Sequence, residues 1–151
     1  MAVDVSTDLY LDGKWVAASD GGRFDVLDPA TGEVIASVAD GTVDDAIACV
    51  DAAERAAEDW AATAPRHRAE VLRKAWELMT ERSEELARLV TRENGKALTD
   101  ARGEVAYAAE FFRWYAEEAV RAQGSVQTAP SGANRILVLQ QPVGIAVLVT
   151  P

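Results

Sequence analysis

The sequence predicts an α/β fold, with β-hairpins first, helices in the middle and a strand buried on both faces at the end. In the first 40 residues, turn residues separate short apolar runs, which is typical of hairpins. From residue 42 onward, apolar residues recur every three or four positions, which indicates helices. The last apolar run, residues 145–149, shows no alternation, and such a run is typical of a parallel sheet.

The composition excludes several classes of protein. The chain has 151 residues, with 25 acidic and 15 basic side chains and a net charge of −10, so we expect no nucleic-acid partner and no membrane-surface binding. Hydrophobic residues make up 49% of the chain, which favours a packed core. One cysteine excludes an internal disulfide framework, and no export signal or membrane-length apolar run is found. We therefore expect a soluble, cytoplasmic protein or a part of one.

Two hairpins are predicted before residue 40. Asp12-Gly13 lies between the apolar pairs Tyr10-Leu11 and Trp15-Val16, which is a strong hairpin signal. The runs 24–27 and 34–38 flank turn residues at 28–32 and form the second hairpin.

Three helices are predicted after the hairpins. The first begins at the cap Thr42, with Asp45 as its capping-box partner, and ends before Pro65. The second either continues through Ser83 or begins again there, and it ends at Asn94-Gly95. The third spans residues 98–123 and is apolar over more than one face, so it requires cover on two sides.

The end of the chain returns to strands. Residues 125–128 and 136–139 flank a turn, and the run 145–149 follows. Since a strand buried on both faces needs neighbouring strands, we expect a fold truncated at the first strand of a second domain. The predicted units are 1–124 (hairpins and helices), 125–141 (an extended arm) and 142–151 (an incomplete domain).

No complete active site is predicted from these residues. Cys49 lies beside an apolar helix stripe, where packing is the favoured interpretation, and His67 lies between two arginines at a helix start, where a solvated role is favoured. No glycine-rich phosphate loop is present. Three arginines on the third helix could bind an anionic substrate, but ion pairs with nearby glutamates are the favoured interpretation: Arg102, Arg113 and Arg121.

Four motifs, in this order and spacing, resemble the N-terminal third of NAD(P)-dependent aldehyde dehydrogenases. They are Gly13-Lys14-Trp15, the run 28–35, Glu93-Asn94-Gly95-Lys96, and Pro142-Val143-Gly144 with the strand to Thr150-Pro151. The stretch 92–98 and the helix after it are most similar to the succinate-semialdehyde dehydrogenase branch, although glutarate-semialdehyde relatives share much of it.

The resemblance implies a cofactor and an assembly. It implies that residues 1–124 pack on a cofactor-binding domain and that 125–140 form an arm pairing with another subunit, hence a homo-oligomer (dimer or tetramer). It also implies that 145–149 open a Rossmann-type sheet, with Val149, Thr150 and Pro151 contacting NAD or NADP.

The resemblance further implies a small aldehyde substrate and assigns possible roles to four residues of this chain. Tyr107 and Phe111 correspond to positions that line the substrate tunnel, or else they are ordinary core aromatics. The Leu27 carbonyl and Glu93 correspond to a monovalent-cation site, or else Glu93 is a plain helix-end acid. The family's nucleophile, general base, oxyanion asparagine and carboxylate-binding arginines have no counterpart here, so no catalytic residue is predicted in this chain.

Three functional hypotheses follow. The first is the N-terminal part of an oxidoreductase that oxidises succinate semialdehyde, or a similar aldehyde, to the acid with NAD(P)+. The alternative is a catalytically inactive stand-alone module that associates with aldehyde dehydrogenase subunits. A small protein with an unrelated binding function is the third, and the ordered motifs disfavour it.

Overall fold

A computed structural model describes residues 5–150, and its elements alternate between hairpins and helices in the predicted order. In chain order these are β1 (Leu9–Leu11), β2 (Lys14–Val16), β3 (Arg23–Leu27), β4 (Val34–Ala39), α1 (Val43–Ala62), α2 (Pro65–Glu81), α3 (Ser83–Asn94), α4 (Leu98–Glu118), β5 (Ser125–Thr128) and β6 (Arg135–Val138). Each consecutive pair of strands forms its own two-stranded antiparallel sheet.

The first two hairpins form as predicted. Between β1 and β2, Asp12 and Gly13 both have positive φ, 50° and 78°, which is the backbone that a two-residue hairpin turn requires. Arg23 then ties the two hairpins together, because its guanidinium donates to the Asp8 carboxylate at 2.9 Å and to the Ser37 carbonyl at 2.7 Å. The hairpins therefore form one connected unit at the start of the fold.

The predicted capping box opens α1. The Thr42 hydroxyl accepts from the Asp45 backbone N–H at 3.2 Å, and the Asp45 carboxylate accepts from the Thr42 N–H at 2.9 Å. Ser19 joins this network through its own N–H, which donates to the same carboxylate at 3.1 Å. The start of α1 is thereby fastened to the loop that follows β2.

Four helices form where three were predicted. Arg82 has φ −97° and ψ 16°, which interrupts the helical backbone, and a new helix begins at Ser83. Because of this break, α2 and α3 both pack on α4. In one straight helix of the combined length, the apolar face of either the α2 part or the α3 part would not contact α4. Gly95, with φ 76°, ends α3 in the left-handed conformation that its sequence predicts.

The last helix is shorter than predicted, since α4 ends at Glu118 and not at Gln123. The Arg121 N–H donates to the Glu118 carbonyl at 2.8 Å, a spacing of three residues that tightens the chain into a turn. Arg121 also pairs with the Glu118 carboxylate at 2.6 Å, which stabilises this turn.

The core lies where α3 packs on α4, and it is built from small side chains. Ala87, Ala101 and Val105 form a buried cluster, with Leu86 and Leu98 among the partly buried residues around it. Within residues 5–150, no large side chain is fully buried. The helices therefore pack closely through alanine, and many of their larger apolar side chains remain outside the core.

The final segment differs from its prediction. The β5–β6 hairpin forms, but residues 145–149 form no strand in the described part of the chain. A strand needs a hydrogen-bonding neighbour, and the nearby elements of this chain are helices whose backbone groups are already paired. The prediction of a strand at 145–149 is therefore wrong for this structure.

Searching residues 5–150 for a membrane-spanning helix finds none with the required length and apolar character.

Candidate functional site

The candidate substrate-binding face lies on α4, where Tyr107 and Phe111 stand one helical turn apart. Their ring centroids are 4.9 Å apart with an interplanar angle of 85°, an edge-to-face contact. Together with Glu110, Trp114 and Tyr115 they line an open groove of about 270 Å³. The two predicted tunnel residues are thus among the five residues that line the groove, and their role in a substrate tunnel stays a prediction.

The aromatic rings of this face are exposed in this chain. Tyr107 is 67% exposed and Phe111 is 46% exposed, so neither ring belongs to the core of this chain. The buried positions of α4 are instead small residues on another side of the helix, such as Ala101 and Ala109. An exposed aromatic face on a helix marks a surface that binds a ligand or another part of a protein.

Trp114 and Tyr115 were missed as candidate site residues, although a signal for each was present. Trp114 lies seven residues after Tyr107, two turns along the same helix face, so helical spacing alone could have found it. Tyr115 lies four residues after Phe111, so the same spacing could have found it, and the structure shows that it lines the groove.

The predicted cofactor-contacting residues lie on the irregular final segment. Val149 is 90% exposed, and Thr150 is exposed beside it, while Pro151 lies outside the described residues. A dinucleotide site requires a phosphate-binding turn at the end of a strand, and this segment offers only backbone groups and one hydroxyl. These residues by themselves therefore do not fit a complete NAD(P) site.

The same segment approaches α1 before it reaches Val149. Pro142 and Ile145 face Ala57 and Trp60 across an apolar groove of about 390 Å³. The apolar stripe of α1 therefore receives the segment that precedes the predicted cofactor contacts.

The predicted cation site involves two segments that the fold brings close together. At the end of α3, a Cβ added to Gly95 would lie 2.8 Å from the Pro29 ring, so this helix end packs against the β3–β4 turn that follows Leu27. Glu93 is exposed, and among residues 5–150 no group of three or more histidine, cysteine, aspartate or glutamate side chains could hold a metal ion. A role for the Leu27 carbonyl and Glu93 stays a prediction.

The structure contradicts the prediction for Cys49 and confirms the one for His67. Cys49 is exposed on α1, so the interpretation that it packs in the core is wrong. The apolar stripe of α1 is itself largely exposed, for example at Val43 and Ile47, and Ala52 is the buried residue of this helix. His67 is exposed near the start of α2, which confirms the solvated interpretation.

Two arginines of α4 and one in the turn after it pair with glutamates, as predicted. Arg102 donates to the Glu84 carboxylate at 2.8 Å and lowers the pKa of that carboxyl, chiefly through this hydrogen bond. Arg113 lies 3.7 Å from Glu110, and Arg121 is the third member of the set. The adjacent acids Glu84 and Glu85 of α3 are exposed, and each pairs with an arginine.

The hairpins, the helices and the exposed aromatic face of α4 define part of an α/β fold. The chain belongs to the aldehyde dehydrogenase family, an oxidoreductase family whose sequence profile matches residues 15–151.

Three similar proteins refine the comparison. Over 118 residues the chain is 53% identical to succinate-semialdehyde dehydrogenase of Paenarthrobacter nicotinovorans, covering 78% of this chain and 26% of that protein. It is 42% identical over 142 residues to glutarate-semialdehyde dehydrogenase of Pseudomonas aeruginosa, covering 94% and 29%. A crystal structure of a betaine aldehyde dehydrogenase double mutant from Staphylococcus aureus in complex with NAD+ is 29% identical, with a TM-score of 0.86 over 93% of this chain and 28% of that one.

The chain spans less than a third of the length of each of these relatives. The fold class predicted from the sequence, that of a short piece of an aldehyde dehydrogenase, is thereby confirmed.

Proposed function

We propose that this chain is the N-terminal part of an aldehyde dehydrogenase that oxidises succinate semialdehyde, or a closely similar semialdehyde, to the acid with NAD+ or NADP+. The observation that carries the proposal is the 53% identity to a succinate-semialdehyde dehydrogenase. The similarity to a glutarate-semialdehyde dehydrogenase supports a substrate with an aldehyde at one end and a carboxylate at the other.

In this proposal the α4 groove forms one wall of the aldehyde channel. Tyr107 and Phe111 present exposed aromatic surface four residues apart, and Trp114 extends that surface by a further turn. An aromatic wall favours a short, narrow channel that fits the methylene chain of a small semialdehyde. Attraction of the substrate's carboxylate is assigned to groups outside this chain, because the net charge of −10 repels anions.

The cofactor would be held only partly by this chain. Val149 and Thr150, with Pro151 beyond the described residues, are proposed to contact NAD(P) once the segment 145–149 pairs with neighbouring strands. NAD(P) would accept the hydride removed from the substrate, and the chain's own part is limited to backbone and hydroxyl contacts. The choice between NAD and NADP rests on residues outside this chain.

Assembly and location complete the proposal. The β5–β6 hairpin is exposed along its whole length, which is consistent with an arm that pairs with a second subunit in a cytoplasmic homo-oligomer. The Leu27 carbonyl and Glu93 are proposed to hold a monovalent cation. No comparison supports the alternative of an inactive stand-alone module.

The proposal is tested by expressing the complete reading frame that contains this chain. Steady-state kinetics would be measured with succinate semialdehyde, glutarate semialdehyde and betaine aldehyde, each with NAD+ and NADP+. We expect the highest kcat/KM with one of the two semialdehydes. A highest kcat/KM with betaine aldehyde, no aldehyde oxidation at all, or a native stop codon directly after Pro151 would each contradict it.

A further inference from the structure

The chain has two asparagines, and one of them, Asn94, is followed by a glycine at the end of α3. An asparagine side chain is chemically labile, because the backbone nitrogen of the next residue can attack its carbonyl carbon. Glycine hinders this attack least, since it has no Cβ. Asn94 is exposed, so water reaches its amide. The proposed function assigns no role to this side chain.

The reaction open to this pair of residues has two steps. The Gly95 nitrogen forms a bond to the side-chain carbonyl carbon of Asn94, and the amide group leaves as ammonia with the proton that the Gly95 nitrogen gives up. Water then opens the resulting succinimide ring. Opening at one carbonyl gives aspartate, and opening at the other gives isoaspartate, in which the main chain runs through the side-chain carbon. Either product replaces a neutral amide with a carboxylate.

The folded chain holds the Gly95 nitrogen away from this attack. Its N–H donates to the Thr91 carbonyl at 2.8 Å and closes the last turn of α3. Asn94 is the last residue of that helix, and ring closure requires its backbone to rotate out of the helical conformation. The hydrogen bond must therefore break before the ring can form.

Two contacts from other elements hold the same helix end, and together they are called the α3 clamp. Pro29, in the β3–β4 turn, packs so closely on Gly95 that an added Cβ would lie 2.8 Å from its ring. On the other side, the ammonium group of Lys96 pairs with the Glu104 carboxylate on α4. Attack at Gly95 therefore requires a local opening of the end of α3, in which these contacts loosen together with the hydrogen bond.

We propose that Asn94 is a deamidation site that is protected while the α3 clamp is closed and reacts when the end of α3 opens. The product keeps this end open. A carboxylate at the C-terminal end of a helix is unfavourable next to the helix dipole. Isoaspartate also adds one carbon to the main chain, which displaces Gly95 from its position against Pro29.

Peptide mass spectrometry of the 151-residue chain tests the proposal, after incubation in one mildly alkaline buffer with and without urea. Asn134, which precedes a large side chain, is the reference within the same molecule. The Pro29→Ala/Glu104→Gln variant removes the α3 clamp and leaves the sequence around Asn94 unchanged. Glu117→Gln makes the same change of charge on α4, outside the clamp, and is the control.

In urea, we expect Asn94 to convert at least about tenfold faster than Asn134 in all three chains, since glycine leaves the attack unhindered. Without urea, folding should slow the conversion of Asn94 by at least about tenfold in the unsubstituted chain and in the control. The clamp variant, checked for folding by circular dichroism, should convert at least about fivefold faster than the control, because its open population is larger.

Three results would each overturn the proposal. They are equal rates at Asn94 and Asn134 in urea, a rate at Asn94 that folding of the unsubstituted chain does not change, and equal rates in the folded clamp variant and the control. The first two comparisons need no variant, so they decide the proposal even where the clamp variant does not fold. None of these rates depends on aldehyde oxidation, so the proposed function is tested separately.

Discussion

At the scale of single residues, Asp45 shows how a half-buried carboxylate can hold two segments of the chain together. It accepts hydrogen bonds from the backbone N–H groups of Thr42 and Ser19, and these lower its pKa from the ordinary 3.8, with the Thr42 contact the largest cause. The ionised carboxylate therefore fastens the loop after β2 to the start of α1.

This geometry predicts a pH-dependent contribution to stability. Because the pKa of Asp45 is lower in the folded than in the unfolded chain, its contribution is complete above pH about 4 and is lost as the pH falls through the folded pKa. Asp45→Asn should therefore weaken the pH dependence of the free energy of unfolding, measured with urea, below pH about 4. Asp44→Asn, one residue away and outside the network, is the control. Identical pH profiles for the Asp45→Asn variant and the unsubstituted chain would contradict the assignment.

The exposed rings of Tyr107 and Phe111 carry the prediction for substrate choice. In the complete enzyme, Tyr107→Ala or Phe111→Ala should alter chain-length preference among aldehydes of two to eight carbons more than it alters kcat. The expected effect is about 1–3 kcal/mol, roughly 10–200-fold in relative kcat/KM, for each lost contact. Tyr10→Ala, at an exposed aromatic on the first hairpin, is the control and should change neither. Unchanged preference with a lower Tm in the α4 variants would show that the rings only pack against another domain.

At the scale of elements, the sequence predicted the turns and helix ends that are determined by a few neighbouring residues. The Asp12-Gly13 turn, the Thr42 capping box and the Gly95 helix end all depend on a few neighbouring residues, and all three form. The break at Arg82 was left open and the absence of a strand at 145–149 was not predicted, because both depend on which surfaces lie nearby. The exposure of Cys49 was not predicted for the same reason. Helical periodicity identifies the apolar side of a helix, but it does not show how much of that side is covered by other elements.

Glycine-to-alanine substitutions at Gly95 and Gly103 should change the free energy of unfolding in opposite directions. Gly95 has φ 76° and a Cβ there would lie 2.8 Å from the Pro29 ring, so Gly95→Ala should lower the free energy of unfolding by at least about 1 kcal/mol. Gly103 lies inside α4 with nothing within 4 Å of an added Cβ, so Gly103→Ala should raise that free energy by about 0.5–1 kcal/mol. Urea unfolding measures both. Equal effects of the two substitutions would contradict the assigned backbone roles.

At the scale of the whole molecule, most of the large apolar side chains are exposed and the core is small. Trp114, Leu137 and Leu148 are 57%, 64% and 88% exposed, whereas the buried residues are mainly alanines. Exposed apolar surface of this extent is typical of a face that contacts another domain or subunit. The limited share of each relative's length that the chain spans agrees with that interpretation.

We therefore expect the isolated chain to self-associate. Light scattering should show species larger than a monomer, and Leu137→Lys with Leu139→Lys should reduce them by adding charge to the exposed β6 edge. Val43→Lys with Val50→Lys adds the same charge on α1 and should reduce association less. A single monomeric peak with a cooperative melt for the unsubstituted chain would contradict this expectation.

In the proposed function, this chain supplies a structural part of a semialdehyde dehydrogenase and no catalytic group. The most direct test is a chimera in which this chain replaces the corresponding part of the Paenarthrobacter nicotinovorans succinate-semialdehyde dehydrogenase. NAD(P)H formation with succinate semialdehyde would be followed for the chimera, for its Cys49→Ala variant and for the isolated chain. We predict equal turnover for the two chimeras and none for the isolated chain. A folded chimera without turnover, or turnover that is abolished by Cys49→Ala, would contradict the claim.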